Sequence, residues 1–444
     1  MERRKLSGPS DIRKSKGLLD RYALMERVEA TVQPDVLITN IGELVTLSPL
    51  ARASRASHVN PDDLGIVKNA WLQIKNSKVE KYGTGPAPAL PQGAILSNAR
   101  CGLVMPGLID CHTHPVFAGS RSNEFCMRLD GKTYQEIAEA GGGIKSSMMA
   151  TRAANEADLL GETLARLSVF LGHGVTSVEV KSGYGLSVDS ELKLLRVLRA
   201  ADKKTPQHLT VTCLALHAVP PEHHSAASWA REAAEKLLPQ VAREKLADCV
   251  DAFVENGYFS ADDARSYLDA AKKLGLRIRL HADEFSESGC AKLAAEYGAE
   301  SADHLQHASD SGIAAMRTAD VVAVLLPGTS LYSGIPYTNA RRFIDAGCAV
   351  AVATDFNPGS CVADNLPMIA TLAALHCKLK PAEALVAVTY AAAYALRLHH
   401  HKGALHPGYD ADFLVQPMAT HEDWLADLGR SRPSQVWIKG QRFL

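Results

Sequence analysis

The chain has no apolar run long enough to cross a bilayer, no Cys-x-x-Cys pair and no surplus of either charge. The first absence excludes a membrane-spanning helix. The second, in a chain whose nine cysteines are scattered and odd in number, excludes a disulfide framework or zinc ribbon and fits reduced thiols in the cytoplasm. Lys and Arg number 48 against 49 Asp and Glu, so nothing calls for nucleic acid or an anionic membrane as partner. Residues 1–16 are polar and basic without an apolar core, which excludes a secretory signal, and Glu2 and Asp11 argue against a mitochondrial presequence. Gly141-Gly142-Gly143 is not followed by Gly-Lys-Ser/Thr, so it reads as a loop over a pocket rather than a phosphate cradle. No repeat of solenoid length and no low-complexity tract occurs.

What is present is alternation. After a charged segment, short strands with turn residues between them are expected at 36–40, 42–47, 70–74, 79–82 and 93–97. From 103 onward, strand-like runs at 103–110, 174–180, 210–218, 250–255, 276–282, 301–304, 321–326 and 349–354 are separated by helix-like segments. Eight such units predict a parallel (β/α)8 barrel. A doubly wound open sheet is the alternative, but it normally carries a Gly-rich phosphate turn after its first strand, where this chain has His112-Thr113-His114. Further strands are expected at 402–405, 410–415, 435–439 and 441–444. They are expected to rejoin the early β unit in one discontinuous β-sandwich. The predicted division is an N-terminal extension at 1–34, sandwich at 35–102 and 401–444, and barrel at 103–400.

In a barrel, reactive side chains sit at the C-terminal ends of strands. His112 and His114, two apart on a strand, share one face about 6.6 Å apart. His-x-His alone is commonly just two polar residues at a strand end. Other predicted strands, however, end at His217, at His281 followed by Asp283 and Glu284, at His304, and at Asp355. Chance would put some of these at the opposite ends. His112, His114, His281 and Asp355 together offer three imidazoles and a carboxylate, a suitable set for Zn2+ or Fe2+. Such an ion makes hydroxide available near neutral pH. Glu284 and His304 remain as rival proton carriers.

The run Pro106-Gly107-Leu108-Ile109-Asp110-Cys111-His112-Thr113-His114 resembles the first-strand signature of the amidohydrolase superfamily. Phe117-Ala118-Gly119-Ser120-Arg121, Val180-Lys181-Ser182-Gly183-Tyr184-Gly185-Leu186, His217-Ala218-Val219-Pro220-Pro221-Glu222, His281-Ala282-Asp283-Glu284 and Ala353-Thr354-Asp355-Phe356-Asn357-Pro358-Gly359-Ser360 narrow the resemblance to its imidazolonepropionase family. The resemblance implies a barrel plus a β-sandwich, one Zn or Fe ion on His112, His114, His281 and Asp355, and hydrolytic opening of a small cyclic amide. It also implies that Arg121, Tyr184, His217, Glu284, Asn357, Gly359 and Ser360 line the substrate pocket. Arg121 is the candidate to grip a substrate carboxylate. Tyr184 would supply an aromatic wall, and His217 would bond the ring carbonyl. Asp355 would also accept the water proton. The expected assembly is a homodimer. A related amidohydrolase acting on another cyclic amide, and a non-catalytic barrel scaffold, are the competing readings. Lys181 is read as structural or pocket-lining, and Cys111, His223-His224, His307 and the tract His399-His400-His401 as structural.

Overall fold

The computed structural model describes residues 34–52, 57–90, 92–132, 136 and 142–444; the predicted extension at 1–34 thus lies almost wholly outside the described residues. Among the described residues, sixteen strands form two sheets. The accessory strands are β1 (Val36–Leu44), β2 (Val67–Lys75), β3 (Lys78–Thr84), β4 (Ile95–Asn98) and β5 (Leu103–Pro106), then β14 (Phe413–Gln416), β15 (Gln435–Ile438) and β16 (Gln441–Arg442). The barrel strands are β6 (Leu108–Asp110), β7 (Val175–Lys181), β8 (His208–Leu216), β9 (Cys249–Val254), β10 (Arg277–Ala282), β11 (Ser301–His304), β12 (Val322–Leu325) and β13 (Val350–Val352).

The barrel strands pair in parallel and in chain order from β6 to β13. Their near-continuous apolar character is what burial on both faces demands. The return helices are signalled locally. Ser187 accepts from the Ser190 amide at the start of Val188–Lys204, and Ser260 forms a capping box with Asp263 at the start of Ala261–Lys273. No described helix is long and apolar enough to cross a membrane.

The seam of the barrel is closed by residues beyond the strands. Asp355 N donates to His112 O (3.1 Å) and His114 N to Phe356 O (2.8 Å). The buried Asp110 carboxylate accepts from Thr354 N (3.1 Å) and Thr354 Oγ1 (2.7 Å). The backbone that carries three of the four predicted ligands is therefore the backbone that joins first strand to last.

The accessory sheet runs β16-β15-β14-β5-β1-β2-β3, with β4 also beside β1. It draws on both chain ends, and one apolar cluster takes Ile38 and Leu72 from one wing and Phe413 and Trp437 from the other.

Three expectations are corrected. The run 103–110 is two strands, not one. Leu103–Pro106 pairs with β14, and the chain bends at Gly107 to enter the barrel; a Cβ there would collide with the Thr176 side chain. The runs 36–40 and 42–47 merge into β1, which bulges between Ile38 and Ile41 with Asn40 at φ 55°. Residues 402–405 form no strand, because Gly403 turns at φ 82° and Lys402 is drawn onto Asp410 and Asp412.

Candidate active site

At the end of β6 the extended chain presents His112 and His114 to one side, and Asp355 meets them from across the seam. His112 Nε2, His114 Nε2 and Asp355 Oδ1 form a triangle with sides of 3.2, 3.3 and 3.4 Å. Ligand atoms placed tetrahedrally at about 2.0–2.1 Å from one ion lie about 3.3–3.4 Å apart. The three atoms thus already stand at the edge length of such a site. His281, at the end of β10, brings its ring centroid within 4.5 Å of His112 and 5.5 Å of His114. One of its nitrogens lies within 4.8 Å of one nitrogen each of His112 and His304. The structure therefore brings all four predicted ligands to one place, with His304 beside them.

The surroundings favour positive charge. Burial and Lys181 push the His112 ring down, but Asp303 and Asp355 outweigh them and raise it to about 9. An ion on Nε2 would take the place of that proton. His112 Nδ1 lies 2.6 Å from Asp303 Oδ2, which leaves Nε2 as the free nitrogen. His281 Nδ1 lies 3.0 Å from Asp251 Oδ2, although off line for a hydrogen bond. Thr329 Oγ1 donates to Asp355 Oδ2. Asp355 (φ 53°), His304 (φ 78°) and Asp283 (φ 50°) all occupy left-handed backbone, at roughly 1–3 kcal/mol each. Such conformations in non-glycine residues cluster at functional sites.

Above the cluster opens a cavity of about 350 Å³, lined by Arg121, Tyr184, His217 and Glu284 and by the loop Asn357, Gly359 and Ser360. All seven expected pocket residues thus face one space, with His114, His304 and Asp355 at its floor. Arg121 donates from Nε to Glu124 Oε2 (2.9 Å), with Nη2 2.8 Å from the same oxygen. Glu124 Oε1 in turn accepts from Gly143 N, at the start of helix Ile144–Ala153. Of the expected glycine loop, Gly142 and Gly143 are described; Gly141 lies outside the described residues. The Asn357 side chain is committed to its own loop: Oδ1 accepts from Gly359 N (2.8 Å) and Ser360 N (2.7 Å), and Nδ2 donates to Asp355 O (2.8 Å).

Two titratable groups on the cavity wall diverge. Burial, then Asp355 and Glu255, push the Glu284 carboxyl well above the usual carboxylate range. Burial holds His304 well below the usual imidazole value despite Asp355. The groups are 3.6 Å apart, so Glu284 is the one suited to carry a proton and His304 to accept one. For His217 the structure changes the expected contact. Its Nδ1 lies 3.1 Å from Gly183 O, and a carbonyl only accepts, so Nδ1 bears the proton. Burial keeps the ring neutral. Its Nε2 then accepts a hydrogen bond and cannot donate one to a carbonyl.

Lys181 lies outside the cavity, between Glu179 and Asp251 at 2.9 Å each. Burial pushes the Cys111 thiol up, out of nucleophilic range. The His399 and His400 rings lie tilted against each other, 3.9 Å between centroids, but enter none of the ion-binding groups found among the described residues. The sequence reading missed Glu124, Phe253 and Tyr258 on the cavity wall and Asp251, Arg279 and Asp303 beneath it. A charged residue within an apolar strand such as Cys249–Val254 was the available signal.

The chain matches the amidohydrolase family over residues 103–443. An imidazolonepropionase of Geobacillus kaustophilus (strain HTA426) is 44% identical over 380 residues, covering 84% of this chain and 89% of the relative. One of Rubrobacter xylanophilus (strain DSM 9941) is 47% identical over 396 residues, 88% of this chain and 91% of the relative. Among solved structures, the 5-methylcytosine deaminase of Klebsiella pneumoniae aligns with TM-score 0.69 at 16% identity, covering 92% of this chain and 97% of that one. An adenosine deaminase of Xanthomonas campestris with bound zinc aligns with TM-score 0.61 at 17% identity, covering 93% of each chain. The structural likenesses establish the shared fold; the family match over residues 103–443 and the identities over most of both chains show that this chain belongs to the amidohydrolase family, in its imidazolonepropionase branch.

Proposed function

We propose that this protein hydrolyses 4-imidazolone-5-propanoate to N-formimidoyl-glutamate. Water adds to the ring carbonyl carbon, the adjoining ring C–N bond breaks, the carbonyl carbon becomes a carboxylate, and the nitrogen leaves with a proton on the formimidoyl group. The observation that carries this reading is one cavity with an arginine at its wall and the His/Asp cluster at its floor. That layout suits a small ring bearing a carboxylate, in a chain 44–47% identical to imidazolonepropionases.

His112, His114, His281 and Asp355 would hold one divalent ion, Zn2+ or Fe2+. When bound, the ion supplies Lewis acidity, activating water and polarising the ring carbonyl near neutral pH. The other steps fall to side chains. Asp355 takes the water proton. Glu284 delivers a proton to the departing nitrogen, with His304 beside it to receive one. Arg121 holds the propionate through guanidinium hydrogens that Glu124 leaves free. Tyr184 walls the ring, His217 Nε2 accepts from a ring N–H, and Asn357, Gly359 and Ser360 shape the carboxylate end. The protein works as a homodimer in the cytoplasm.

Purified protein loaded with Zn2+ or Fe2+ and mixed with imidazolone propionate should yield formimidoyl-glutamate, read by proton NMR. No turnover by the ion-loaded protein overturns the assignment.

A further inference from the structure

Beneath the cavity lie buried charges that the reaction does not use. Lys181 and Arg279 are both fully buried, as are Glu179, Asp251 and Asp303. They form two chains of like design. In one, Lys181 Nζ lies 2.9 Å from Asp251 Oδ2. Asp251 in turn accepts the His281 amide on Oδ1 (3.1 Å) and approaches its ring Nδ1 with Oδ2 (3.0 Å). In the other, Arg279 is anchored by Nη1 to Ala395 O (2.8 Å) and by Nη2 to Cys111 O (2.9 Å). Its Nη2 also lies 3.6 Å from Asp303 Oδ2, which meets His112 Nδ1 at 2.6 Å. Each chain runs cation, carboxylate, imidazole, and each imidazole belongs to the ligand cluster.

We propose that Asp303 and Asp251, backed by Arg279 and Lys181, are positioning residues that fix the rings of His112 and His281 and set how tightly the centre holds its ion. A carboxylate on one imidazole nitrogen orients the ring and raises the basicity of the other. A buried carboxylate needs a partner, and the two cations supply one without approaching the ion. His114 has no such support, since its Nδ1 is buried without a partner among the described residues.

The inference rests on the metal centre proposed above, and its test separates the two. Apo protein is titrated with Zn2+ against a chromogenic chelator, for the wild type and for Asp303→Asn and Asp251→Asn. Each substitution should weaken Zn2+ binding about 10- to 100-fold, with the pair together weaker than either. The apo forms are compared by thermal unfolding, since a merely structural role would lower that temperature and leave Zn2+ affinity unchanged. Wild-type affinity in both variants overturns the inference. A wild type that binds no Zn2+ or Fe2+ overturns the metal centre instead. If an Asn variant fails to fold, Asp→Glu at the same position, which moves the charge by one methylene, is read in the same way: weakened binding supports the assignment and unchanged binding overturns it.

Discussion

Arg121 lies across Gly359 so closely that a Cβ on the glycine would overlap the guanidinium. The glycine thus leaves room for an arginine brought in from the loop after the first barrel strand. Gly359→Ala should push the guanidinium aside and raise KM about 10- to 100-fold, the worth of one or two charge-assisted hydrogen bonds. Arg121→Lys should do the same, because a point charge does not replace the planar fork. Steady-state kinetics check both, and an unchanged KM would remove Arg121 from substrate binding.

Glu284→Gln should lower kcat about 10²- to 10⁴-fold with little change in KM. The sign of the pH effect follows from the group's role. Burial, Asp355 and Glu255 raise its pKa, and it acts protonated. Activity should therefore fall as pH rises through that raised value. The variant's residual activity should lack this alkaline limb in a kcat–pH profile.

Removing the ion with a chelator should abolish turnover and lower Tm, because a ligand bound only by the folded state adds about 2.7 kcal/mol at a hundredfold excess over its Kd. Adding back Zn2+ or Fe2+ should restore both, and the ion that restores more activity identifies the preferred metal. Calorimetry beside the activity assay reads the two together.

Away from the cavity, Asp410 should contribute a pH-dependent share of stability. Burial pushes its carboxyl up, but Lys402 and Lys78 outweigh burial and lower it, at 3.0 Å for Lys402 and 2.5 Å for Lys78. Its folded pKa lies below the unfolded one, so the contribution is full above the ordinary carboxylate value near 4 and is lost as pH falls through the folded value. Asp410→Asn should cost about 1–3 kcal/mol at pH 7, because Lys402 keeps Asp412. The deficit should shrink in acid, as urea denaturation at several pH values would show.

The barrel was legible because its strands are short apolar runs set between turns and helix caps, and because histidines or an aspartate end five of them. What sequence could not supply was partnership across strands. Asp251 and Lys181 look like isolated charges in apolar strands until β7, β8, β9 and β10 stand side by side. The choice between Glu284 and His304 depends on burial, and the His217 tautomer depends on a carbonyl thirty-four residues away. The break at Gly107 shows only in the pairing: β1 and β14 claim Leu103–Pro106, whereas β7 claims Leu108–Asp110.

The seam also sets an order of events during synthesis. Asp110 and its partner Thr354 are separated by 244 residues. At about 5–20 residues per second, the first strand leaves the ribosome roughly 12–50 s before the residues that close against it. Until then the buried carboxylate of Asp110 and the imidazoles of His112 and His114 have no Asp355 or Thr354 to meet. The triangle of donor atoms is thus among the last features of the barrel to form. Ion capture must follow translation of the last barrel strand, and a chain released short of Asp355 would keep an open seam.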